Sequence, residues 1–125
     1  MARLSTAVRE AWEDRDGPAI LATVDASGAP NIIYVGCVSA YDESRLLVAD
    51  NYFDKTRKNL ARGSKGAILF RTKSRKAYQV KGTLERHTDG PVFDHMKTWN
   101  PPKHPGHAVA VLNVEAAYSG AEKLL

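Results

Sequence analysis

Between Pro18 and Asp50 three apolar runs rich in β-branched residues follow one another, at 18–25, 30–40 and 45–50, with turn residues between them. The turns are Ser27-Gly28 and Asp42-Glu43-Ser44. Connections this short cannot carry the crossover that a parallel pair needs, so the three strands are predicted to pair antiparallel as a meander. This excludes a helix-covered parallel sheet. GAILFRTK (66–73) reads as a fourth strand. In AYQVKGTLERH (77–87), Tyr78, Val80, Gly82 and Leu84 alternate with Gln79, Lys81, Thr83 and Glu85, which makes a fifth strand with one wet face. HAVAVLNVEAAYS (107–119) is apolar on both phases, as a strand covered on both faces would be.

Three short helices punctuate the strands. Leu4, Val8, Ala11 and Trp12 share one face of an N-terminal helix that stops at Gly17-Pro18. A second helix, 54–62, ends at Gly63, a good left-handed cap. Its Thr56, Asn59 and Leu60 face inward, whereas Arg57, Lys58 and Arg62 lie toward solvent. Thr88 or Asp89 caps a third helix, PVFDHMKTW, with Pro91 in its first turn. NPPKHPGH (100–107) is too rich in proline for regular structure and reads as a semi-rigid loop. Six strands and three short helices within residues 1–125 predict one mainly β domain, an antiparallel barrel.

Composition narrows the partners. No apolar run approaches the ~18 residues of a membrane span, and the N-terminus lacks the apolar stretch of a secretory signal. The single cysteine, Cys37, excludes an intrachain disulfide, so the expected location is the cytoplasm. The four histidines have no paired spacing, so no metal site is expected. Cys37 itself, inside a strand, reads as a small core residue rather than a nucleophile. The net charge of +4 hides a local excess: nine cations and one acid lie between Asp54 and Lys76. Such a block seeks an anionic ligand, a nucleic acid or water. A basic nucleic-acid or regulatory binding module is the lesser alternative, because Phe70 and Tyr78 fall on the inward phase and leave no stacking platform.

Residues 48–60, VADNYFDKTRKNL, focus the anionic reading. A strand ends, a short turn follows, and Asp54-Lys55-Thr56 opens a helix. A helix start offers unpaired N–H groups and the positive end of the macrodipole, and Lys55 and inward-facing Thr56 add charge and hydroxyl at the same point. Asp54 is the natural cap of that helix.

The order of these features, with K-T after the third strand and T-D-G-P at 88–91, resembles the pyridoxamine 5′-phosphate oxidase-like FMN-binding split barrels, above all their short members. The resemblance runs from about residue 18 to the C-terminus. It implies a mainly β, six-stranded antiparallel split β-barrel with a few short helices, FMN as cofactor, and a homodimer with its flavin sites at or near the interface. By position, Lys55 and Thr56 match the residues that hold the FMN phosphate. Tyr34, Val35, Gly36 and Cys37 fall on the strand along the cofactor, and Asp50 and Asn51 at the strand end against the flavin edge. Ser74-Arg75-Lys76 resembles an S-R-K stretch of the small relatives, so Arg75 and Lys76 are further cofactor candidates. Trp99 matches an aromatic that the second subunit contributes near the flavin.

The implied function is electron transfer or a small FMN-dependent oxidoreductase activity with an unknown redox partner, carried by the cofactor without a catalytic side chain. A split barrel using a deazaflavin-type cofactor is the nearer alternative. The longer oxidases carry a C-terminal arginine-and-histidine signature for the substrate phosphate. This chain ends YSGAEKLL, so little oxidation of a vitamin B6 phosphate is expected. A dimer is also expected because the helices are too few to cover strand 107–119, and it would bring Trp99 and the tail Leu124-Leu125 near the partner's cofactor.

Overall fold

In the computed structural model, which describes residues 2–125, the order of elements is α1 (Thr6–Glu13), β1 (Ala19–Val24), β2 (Pro30–Val35), β3 (Val38–Ala40), β4 (Arg45–Asp50), α2 (Lys55–Arg62), β5 (Ser64–Arg71), β6 (Ala77–His87), α3 (Pro91–Trp99), β7 (Ala108–Ser119) and β8 (Glu122–Lys123). All pairings of these strands are antiparallel, in the order β2-β1-β5-β6-β7-β4-β3, with β8 added on β7.

The expected six strands become eight segments, and the main change is informative. The run 30–40 breaks at Gly36-Cys37 into β2, which pairs with β1, and β3, which pairs with β4. β2 and β3 are the opposite edges of the sheet. From Val35 to Val38 the chain can span at most about 11 Å. The sheet must therefore curl until its two edges nearly meet, and the barrel is split along that seam.

Inside the curl, Leu21, Leu46, Val48, Ile68, Val80 and Leu112 form the main core with Val8 and Trp12 of α1. Trp12 meets Phe70 edge to face with ring centroids 5.1 Å apart, and Phe70 stacks on Tyr78 at 5.5 Å. Ser5 caps α1, its hydroxyl accepting from Val8 N at 3.3 Å. α3 starts at Gly90 and Pro91 without a side-chain cap, so neither Thr88 nor Asp89 has that role.

A second core forms on the other face. Leu47, Ala49, Val109 and Val111 pack against Val92 and Met96 of α3. β7 is thus covered on both faces within one chain, and its two-sided apolarity demands no partner subunit. The tail is also accounted for internally: Leu124 and Leu125 pack on the main core, and Leu124 N donates to Ala117 O at 2.8 Å. Among the described residues the large apolar side chains left exposed are Ile32 (67%) and Tyr34 (76%) on β2, Tyr52 (70%) after β4 and Leu69 (40%) on β5.

Gly82 sits where β6 meets a register shift against β7. A Cβ there would stand 1.9 Å from Asn113 O, a backbone atom with no room to yield, whereas at Gly36 nothing lies within 4 Å. Gly82→Ala is therefore expected to cost about 1–3 kcal/mol of stability, the usual range for overpacking. Gly36→Ala should leave the urea midpoint nearly unchanged. Equal midpoints for the two variants would contradict this packing.

Candidate functional site

An open cleft of about 540 Å³ lies beside the seam of the barrel. One wall is β2 and the break after it, from Asn31 through Ile33 and Tyr34 to Val35, Gly36 and Cys37. The facing wall is the chain from the end of β4 into α2: Ala49, then Asn51 through Thr56, with His104 at the rim. Of the residues singled out in the sequence, Tyr34, Val35, Gly36, Cys37, Asn51, Lys55 and Thr56 are brought together here.

Asn31, Lys55 and Thr56 form one end of the cleft, where β2 meets the start of α2. Thr56 is buried, and its Oγ1 accepts from Asn31 Nδ2 at 2.8 Å, which ties the first turn of α2 to β2. One turn later Asn59 Nδ2 donates to Thr23 Oγ1 at 2.9 Å, both side chains buried. Asp54 occupies the N-cap position, yet its side chain makes no capping hydrogen bond. The expected carboxylate cap is absent, so the first-turn N–H groups are left to another acceptor. Lys55 is exposed beside them.

Asp50 has a different place from the one its position suggested. It is fully buried, does not line the cleft, and holds the turn that shapes it. Its carboxylate accepts from Arg57 Nε at 2.8 Å and Nη2 at 2.9 Å and from Phe53 N at 3.1 Å, with Arg86 Nη2 at 3.7 Å. Arg57 is therefore not a solvent-facing cation but a bidentate clamp between α2 and β4. The hydrogen bond to Asp50 raises its guanidinium above the ordinary arginine value.

The loop between α3 and β7 is fixed by buried amides. Asn51 and Asn100 exchange side-chain hydrogen bonds at 3.1 and 2.9 Å, and Asn51 Oδ1 also accepts from Gly106 N at 3.0 Å. This sets His104 over the rim, where its Nδ1 lies 3.1 Å from Tyr52 Oη.

Three other candidates lie outside the cleft. Arg75 and Lys76 belong to the hairpin between β5 and β6, which is docked on the end of α1: Lys73 N donates to Asp14 O at 3.1 Å and Asp16 N to Arg71 O at 2.8 Å. Trp99 lines a smaller cavity next door, beside Gly36 and Cys37 of its own chain.

Asn31, Ile33, Ala49, Tyr52, Phe53, Asp54 and His104 also line the cleft, beyond the cofactor contacts that the sequence suggests. Asn31 had a signal. It shares the inward phase of β2 with Ile33 and Val35, and an amide in an apolar phase needs a partner. His104 had none, because nothing local shows where a proline-rich loop will rest.

The sequence profile of the family described as pyridoxamine 5′-phosphate oxidase matches residues 4–119. An uncharacterized protein of Methanocaldococcus jannaschii is 32% identical over 72 residues, 56% of this chain and 48% of that protein. The match thus spans about half the length of that curated relative. Among solved structures, HupZ of Group A Streptococcus is 27% identical, with a TM-score of 0.80 and 93% of each chain covered. An FMN-binding protein from Syntrophomonas wolfei shares the fold at 22% identity and TM-score 0.72, covering 88% of this chain and 81% of that one. An F420 reductase shares it at 18% identity and TM-score 0.63, covering 84% and 91%.

If Asp50 holds the turn, Asp50→Asn should destabilise the protein by about 1–3 kcal/mol, because it removes the charge from a buried, fully bonded acceptor. Arg57→Ala should lower the denaturation midpoint too, whereas Lys58→Ala, on the exposed side of the same helix, should not. Identical urea midpoints for Arg57→Ala and Lys58→Ala would show that the clamp carries no stability.

Proposed function

The chain belongs to the pyridoxamine 5′-phosphate oxidase family, and from that premise we propose that it is a cytoplasmic, homodimeric flavoprotein that binds FMN and serves as a small oxidoreductase or electron carrier. The observation that carries the reading is the uncapped start of α2. There the first-turn N–H groups, exposed Lys55 and the Thr56 hydroxyl lie at one end of a cleft that runs along β2 from Asn31 to Val35.

The residues present fit the group. A phosphate monoester carries about 1.5–2 negative charges near pH 7, and the helix start supplies donors, dipole and a cation to receive them. The rest of the cleft suits an amphipathic planar ring: Ile33, Val35 and Ala49 give apolar wall, and the backbone of Gly36 and Cys37 gives donors and acceptors. When bound, FMN would supply reversible transfer of hydride or electrons through its ring. The protein's own share is to seat the phosphate, hold the cleft open through the Asp50–Arg57 clamp, and fix the rim through the Asn51–Asn100 pair. The FMN-binding and F420 reductase names among the structural relatives support a flavin or deazaflavin in this place. The phosphate seat favours FMN, and the mass of the extracted cofactor separates the two.

The dimer rests on the outer face of β2. Ile32 and Tyr34 are exposed on a strand that walls the cleft, next to Ile20, Ala22, Ala67 and Leu69 in register on β1 and β5. A two-fold partner seated there would bury this face and close the cleft from outside.

Two outcomes follow. Lys55→Ala removes a charge-assisted contact worth about 1.5–3 kcal/mol and should weaken FMN binding roughly ten- to hundredfold, with riboflavin affinity unmoved. Thr56→Val should act in the same sense but less. Fluorescence titration with both flavins reads this directly, and a Lys55→Ala that weakens both equally would place the phosphate elsewhere. Ile32→Asp should convert a dimer into a monomer by light scattering. A wild-type monomer at micromolar concentration would refute the dimer.

A further inference from the structure

A second cavity of about 250 Å³ lies beside the cleft, sharing Gly36 and Cys37 with it and completed by Val38, Ser39, Trp99 and Pro101. We propose that this cavity is the binding site of the second reactant, and that this reactant is a small uncharged aromatic carbonyl compound of the quinone type. The inference rests on the flavin reading of the larger cleft, since it takes the shared residues as the junction between the two ligands.

Charge is the first argument. The larger cleft has Asp54, Lys55 and His104 in its walls, whereas among the described residues no acidic, basic or histidine side chain lines the second cavity. A phosphorylated or carboxylated ligand would enter it without a counter-ion and lose its hydration, a loss of several kcal/mol per unpaired charge in the general case. A neutral ligand incurs no such loss. Lining and size are the second argument: Val38, Trp99 and Pro101 supply apolar surface beside the polar groups of Cys37 and Ser39, and the volume suits one or two rings.

Polar complement is the third. Alternate residues of an antiparallel edge strand bond to the neighbouring strand, and the others point away. Here Cys37 O accepts from Ala49 N at 2.9 Å and Tyr41 N donates to Arg45 O at 3.0 Å. Counting between them, the N–H groups of Val38 and Ala40 fall on the open side of β3, toward the seam of the barrel. Val38 lines the cavity. A carbonyl oxygen is the acceptor that an unpaired edge N–H would take.

The test is equilibrium dialysis of FMN-saturated protein against duroquinone and, separately, phenyl phosphate. Duroquinone has every ring carbon substituted and is not expected to add to the Cys37 thiol. The expected result is saturable binding of duroquinone, one per chain, at least tenfold tighter than phenyl phosphate. Ser39→Phe, which fills the second cavity alone, should weaken duroquinone at least tenfold and leave FMN affinity within twofold, and that unchanged affinity also reports an intact fold. Ser39→Lys places a cation in the same space and should reverse the preference toward phenyl phosphate. Should Ser39→Phe not fold, Ser39→Lys reads the same site. Phenyl phosphate binding as tightly as duroquinone in the wild type, or duroquinone affinity unmoved by a folded Ser39 variant, would overturn the proposal. If the wild type takes up no FMN, the flavin reading fails instead, and dialysis of duroquinone against the flavin-free protein still reports whether the cavity binds it.

Discussion

The two-residue break at Gly36-Cys37 is the constraint on which the rest of the structure depends. It hands the chain from one edge of an eight-stranded sheet to the opposite edge. Because so short a link spans so little distance, the sheet has to curl and the two edges have to approach without pairing. The unpaired seam is where a ligand can lie against backbone groups that no neighbouring strand has claimed. A continuous strand over 30–40 could not pair at both edges at once.

Polar side chains near the seam place the elements that form the cleft. Asp50 and Arg57 lock α2 to the end of β4, Asn31 and Thr56 lock its first turn to β2, and Asn51 with Asn100 locks the loop that carries His104. Backbone groups complete two of these pairs: Phe53 N donates to Asp50 and Gly106 N to Asn51. Together they hold one structure on three sides: a helix start whose N–H groups the local carboxylate leaves free. The cationic block of the sequence is divided by this arrangement. Arg57 turns to Asp50, Arg71 lies 3.7 Å from Asp16 and Lys73 4.0 Å from Asp14, so the local excess is not a single open patch. Phe70 and Tyr78 are buried in the core, as their phase predicts.

Much of this was legible in the sequence because period and turn chemistry are local. The antiparallel strands, the inward Thr56 and Asn59, and the amphipathic α1 all follow from spacing, whereas the expected three-strand meander is divided between the two edges of the sheet. The misses share a cause, which is that they depend on how the chain folds back rather than on any local period. Asp50 and Arg57 are seven positions apart but meet only because the intervening turn folds back. Asn51 finds Asn100 across 49 positions. The two apolar faces of β7 suggest a partner subunit when the helices look too few to cover them, yet α3 covers the second face, and no local pattern announces where that helix docks. Arg75 and Lys76 looked like cofactor contacts by motif, and the β5–β6 hairpin carries them to the end of α1 instead.

The central claim is that the start of α2 recognises a phosphate at one end of the cleft, and the affinity difference between two ligands tests it most directly. FMN and riboflavin share a ring and a ribityl chain and differ by the phosphate alone. Titrated into the same flavin-free wild-type protein at fixed salt, FMN should bind at least tenfold more tightly than riboflavin, and the gap should narrow as salt rises. Equal affinities for the two flavins would contradict the account, because the helix start would then be recognising nothing.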